Sequence, residues 1–95
     1  MDNAKLDEFK RAMEEVIYAP TKAYAKQPLQ RLKLLASMLS RDVDHYLSGK
    51  LKEVISAVDA ASGQVNDKKH WENIANRSWY VFESSVRDYG DDEET

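Results

Sequence analysis

Cysteine is absent from the chain, so disulfides, thiolate metal sites and cysteine nucleophiles are all excluded. Glycine occurs three times and proline twice, which leaves few places to turn and predicts long helices with few connections. Three scattered glycines build no phosphate-cradling loop. No run approaches the roughly 18 consecutive apolar residues that span a bilayer. The opening MDNAKLDEFKRAMEE also lacks the apolar core of a signal peptide. No membrane partner is therefore expected, and the cytoplasm is the expected compartment. Strand-type alternation and internal repeats are missing too.

What is present suits one folded domain. Apolar residues make up 42% and charged residues 33%, a balance that can bury a core and still be solvated. Residues 1–90 are expected to form a single helical domain. Residues 91–95, DDEET, are expected to be a disordered acidic tail.

Charge is unevenly spread. Residues 20–52 hold seven basic and two acidic residues, a local +5. The last eight residues, DYGDDEET, hold five acidic residues and no basic one. Residues 1–87 alone carry 14 basic and 12 acidic groups, so the total of −3 belongs to the C-terminal segment.

Residues 28–61 carry the longest apolar stripe. Leu32, Ala36, Leu39, Val43, Leu47, Leu51, Val54 and Val58 recur at steps of three and four, one face of a helix. The unbroken phase predicts one long central helix, at most kinked. Such a helix would span about 50 Å at 1.5 Å per residue. If the helix breaks, Gly49 is the expected place, because glycine disfavours helix interiors and suits C-caps. Lys50 falls inside the stripe, where a charge is unwelcome.

Flanking helices are expected over residues 4–18 and 68–88. In the first, Leu6, Phe9, Met13, Val16 and Ile17 share a face, with Asn3 as the candidate N-cap. In the last, Trp71, Ile74, Trp79, Phe82 and Val86 share an aromatic inner face, and Asn66 or Asp67 is the candidate cap. Tyr80 points the other way. Residues 19–28 read as a connector between prolines, with Thr21 capping a single helical turn and Tyr24 anchoring the connector to the core.

The fold class that follows is all-α: a small bundle of three to four helices with one long central helix, able to pair as a helical dimer. Catalytic signals are thin. Asp42 and His45 stand at i, i+3, but the chain has only two histidines and no Glu-x-x-His. No catalytic residue, metal or cofactor is expected.

The expected function is a non-catalytic protein–protein interaction module, an adaptor, regulator or inhibitor. Its motive lies in residues 29–47, which are apolar almost all round. Leu34 and Met38 fall opposite the main stripe and are flanked by Arg31 and Arg41. An apolar centre with arginine at its rim is the composition of an interface. Arg31, Leu34, Met38, Arg41 and the outward Tyr80 are the expected partner-binding residues. A protein partner, with a symmetric homodimer as one form, is the expected occupant. A nucleic-acid-associated regulator using the basic residues of 22–52 is the alternative, and a bundle enzyme with a carboxylate–His site a weaker one.

Overall fold

A computed structural model describes residues 2–62 and 66–87. It contains α1 (Asn3–Ile17), α2 (Lys22–Ser40), α3 (His45–Ala61) and α4 (Lys68–Val86), with no strand among the described residues. The expected acidic tail, 91–95, lies outside the described residues.

The central helix is not one helix. The chain breaks at residues 41–44, not at Gly49. Arg41 and Asp42 donate their N–H groups to Met38 and Leu39, tightening the last turn of α2 into three-residue steps. Asp44 then caps α3, its Oδ1 accepting the Leu47 N–H at 3.0 Å. Val43 still packs against the core, which is why the stripe runs through the break in phase. Gly49 sits inside α3, where an added Cβ would meet nothing within 4 Å.

The expected connector is also shorter. Only Tyr18–Thr21 link α1 and α2. Thr21 does cap a turn, its Oγ1 accepting the Tyr24 N–H at 3.3 Å, but that turn continues into α2. Pro28 therefore lies within α2 instead of at its start. Having no N–H, it leaves the Tyr24 carbonyl without its usual helical donor. Ala25 and Leu32, on either side of Pro28, are both buried and hold the helix to the core.

α1 begins one residue early, at a cap made by Asp2, whose Oδ1 accepts the Ala4 N–H at 2.9 Å. Six of its residues are buried, more than a surface helix needs, because α1 meets all three other helices. α3 does the same. α2 and α4 make no close backbone approach to each other. The arrangement is a ring in the order α1, α2, α3, α4, with α1 and α3 touching across it. At the start of α4, Asp67 takes the cap position without a side-chain hydrogen bond.

Long-range polar links fix alternating up and down directions. At one end, Tyr18 donates to Glu72, Lys68 donates to the Ile17 carbonyl, and Lys22 donates to the Asp59 carbonyl at 2.8 Å. Lys68 thereby satisfies a carbonyl that the end of α1 leaves open, and its charge suits the negative end of that helix. At the other end, Arg87 holds Asp7 at 2.6 Å and Glu83 at 2.8 Å. The molecule measures 44 × 25 × 22 Å.

The core centres on stacked rings. Trp79 lies between Phe9, at 4.7 Å and 13°, and Phe82, at 5.7 Å and 21°. Trp79 is 2% exposed, and its Nε1 has no hydrogen-bond partner. Trp71, expected inside with it, is only half-buried. Lys50 is accommodated in the stripe by reaching Glu53 at 3.3 Å and lying 5.2 Å from the Tyr46 ring.

Candidate protein-binding face

α2 carries four basic residues and no acidic one between Lys22 and Ser40, and Arg41 follows at its C-cap. Ala25, Leu32, Leu35, Ala36 and Leu39 turn inward. At about 100° per residue, Leu34 then falls near the middle of the outward face. It is 62% exposed, the expected outward placement. Met38, one turn on, is half-buried. A large apolar side chain left in water forgoes about 1.5–3 kcal/mol, so this position is one the fold itself does not use.

The two arginines differ. Arg31 leans towards α1, with Glu15 at 3.8 Å, a loose pair between half-exposed side chains. Such a pair contributes about 0–1 kcal/mol, so Arg31 can exchange partners at little cost. Arg41 is exposed and has no ion-pair partner among the described residues. The same holds for Lys26 and Lys33.

Tyr24 joins this face. The sequence reading placed it against the core, yet it is 70% exposed. Once α2 starts at Lys22, helical phase puts Tyr24 on the same side as Arg31 and Met38. The Thr21 cap is the sequence signal for this start, and Pro28, which lies inside α2, masks it by resembling a helix boundary.

Tyr80 is outward, as expected, and 68% exposed. It stands on α4, which does not approach α2. The structure therefore brings Arg31, Leu34, Met38 and Arg41 onto one face and leaves Tyr80 apart from them.

The Asp42–His45 pair is split by the helix break. Asp42 lies in the turn, His45 opens α3, and Asp44 is occupied as the cap. Among the described residues, no group of three or more His, Asp or Glu side chains is placed to hold a metal ion. No described helix is long and apolar enough to cross a membrane. Comparison with protein-family models, curated proteins and solved structures finds no match to this chain.

Proposed function

We propose that this chain is a non-catalytic protein-interaction module that docks a protein partner on the outward face of α2. The observation that carries the reading is Leu34, exposed at the centre of a helix face that has cations at its edges and no carboxylate. Apolar contact at the centre supplies affinity, and charge at the rim selects the partner and speeds encounter. The partner that fits offers an apolar side chain ringed by carboxylates. A symmetric homodimer through this face fits less well. It would set Arg31, Lys33 and Arg41 against the same cations of a second copy, with no carboxylate on either helix to meet them.

A second reading draws on the same cations: a regulator that contacts nucleic-acid phosphates through residues 22–52. Its binding would fall steeply with salt and would not depend on Leu34.

The test is cross-linking and pull-down with the intact chain beside Leu34→Glu and Tyr80→Ser variants. The expected result is a stoichiometric partner lost with Leu34→Glu and kept with Tyr80→Ser. Capture that is indifferent to Leu34→Glu sinks the reading. Salt-sensitive binding to unrelated DNA or RNA, unchanged by Leu34→Glu, supports the second one.

A further inference from the structure

Trp71 is the large ring that the core does not take in. Phe9, Trp79 and Phe82 stack inside, while Trp71 and Ile74 of α4 stay half-buried. Across from them on α3 stand the buried Ala57 and the exposed Ser56. Together with Lys52 and Glu53 these residues line an open groove of about 320 Å³ between α3 and α4. A concave, mostly apolar surface with a few polar groups at its edge is the form of a small-molecule site, and this volume is at the small end of such sites. The groove belongs to the α3/α4 seam, and α4 does not approach α2. It is therefore a different surface from the outward face of α2.

Charge at the rim decides what fits. Ser78 donates to Glu53 Oε1 at 3.0 Å, which sets the register of α4 against α3. Lys50 reaches the same oxygen at 3.3 Å, so Glu53 is already matched. At about 100° per residue, Lys52 lies one step further out than Glu53, and Arg77 one step further out than Ser78. The two cations thus stand at one level, on either side of the mouth. Both are exposed, and neither has a carboxylate partner among the described residues. The other carboxylates of α3 and α4 are engaged on other flanks: Asp59 by Lys22, Glu72 by Tyr18 and Glu83 by Arg87.

We propose that this groove binds a small aromatic carboxylate, its ring laid against Trp71 and Ile74 and its carboxylate held by Lys52 and Arg77. A flat ring can stack on the indole, and the groove's small volume favours a compact ring system over a long acyl chain. The planar guanidinium of Arg77 can meet both carboxylate oxygens, and Lys52 adds a point charge. Because the rim is exposed, salt weakens the contact.

The test is a nitrogen–proton NMR titration of the intact chain with 2-naphthoate and, separately, with uncharged 2-naphthamide. The Trp71 indole N–H reports on the floor, and Trp71→Phe assigns it against Trp79. Naphthoate is expected to move the Trp71 indole signal and the amides of 52–57 and 71–77, with a Kd near about 1 mM or tighter. Naphthamide is expected to bind more weakly. Lys52→Gln and Arg77→Gln, both at exposed positions, are each expected to weaken naphthoate by about threefold and to leave naphthamide unchanged. Leu34→Glu, on the α2 face, is expected to bind naphthoate as the intact chain does, so failure of the docking reading would leave this result untouched. Circular dichroism checks that each variant is folded. The proposal is overturned if naphthoate leaves the Trp71 indole unmoved at millimolar concentration, or if the shifts fall elsewhere. Equal binding of the amide, or indifference to both Gln variants, overturns it as well. Shifts of the same signals on concentrating the protein alone would give the groove to a second copy. Tighter binding of a capped Asp-Trp-Asp peptide would give it to a protein partner. Either of those results overturns the small-molecule assignment.

Discussion

Phe9 and Trp79 stack with ring centroids 4.7 Å apart, and this contact joins α1 to α4, two helices whose backbones come close at few points. Phe82 packs on the same indole at 5.7 Å. Trp79→Ala is expected to cost about 3–5 kcal/mol, as for other large core truncations. Trp79→Phe keeps a ring in the stack and removes the buried Nε1–H that has no acceptor. An unsatisfied buried donor costs about 1–3 kcal/mol, so Trp79→Phe is expected to lose no more than about 2 kcal/mol. Urea unfolding of both variants measures the difference. Equal losses would show that the indole N–H is satisfied in solution, by water for example.

Gly49 offers a gain. It lies within α3, and a Cβ there meets nothing within 4 Å. Gly49→Ala should therefore stabilise the chain by about 0.4–1 kcal/mol, through helix propensity and a less flexible unfolded state. A lower melting temperature in Gly49→Ala would mean that the backbone at Gly49 serves something other than the helix.

How much of this was legible in the sequence depends on the range of the signal. The inner faces of α1 and α4 follow from local spacing, and Leu6, Phe9, Met13, Trp79 and Phe82 are buried where periodicity puts them. The break between α2 and α3 was hidden because Val43 keeps the stripe in phase across it. Its local marker is Asp44, three residues before Leu47, an N-cap next to the Asp42–His45 pair. Leu34 could be placed outward from phase alone, while Tyr24 could not, because Pro28 obscured where α2 starts. The links of Tyr18 to Glu72, Lys68 to Ile17 and Lys22 to Asp59 join residues 37 to 54 apart. No local pattern encodes such pairs; they exist only once the helices have chosen neighbours.

The Tyr18–Glu72 link predicts a response to alkali. The hydrogen bond to Glu72 is the main cause that raises the Tyr18 phenol above its ordinary value of 10.0, with burial and the Glu72 and Glu14 charges acting the same way. The folded state thus favours the protonated phenol. Its contribution to stability is fully present below about pH 10, the unfolded value, and is lost as pH rises through the higher folded value. Tyr18→Phe should narrow the difference in melting temperature between pH 8 and pH 11, after subtraction of the other tyrosines' shared effect. Spectrophotometric titration checks the phenol directly, and a Tyr18 that ionises at or below the ordinary value would contradict the link.

Arg87 predicts an asymmetry between its two partners. Its side chain is 14% exposed and that of Glu83 17%, whereas Asp7 is 62% exposed. Arg87 Nε and Nη2 both bond Glu83 Oε2 at 2.8 Å, and Nη2 also reaches Asp7. The hydrogen bond to Asp7 is the first cause that raises the guanidinium above its ordinary range, while burial opposes it. Arg87 stays charged at any working pH, so its loss is a loss of contacts, not of titration. Arg87→Ala strands Glu83 in a mostly dry site and is expected to cost about 1–3 kcal/mol. Asp7→Ala removes an exposed partner and is expected to cost about 0–1 kcal/mol, most of it screened away by salt. Combining Arg87→Ala with Glu83→Gln should recover part of the first loss, because the stranded charge is gone. Denaturant unfolding of the single and double variants at low and high salt measures each value. If Asp7→Ala proves as damaging as Arg87→Ala and insensitive to salt, the tie between α1 and α4 at this end rests on Asp7 and not on Glu83.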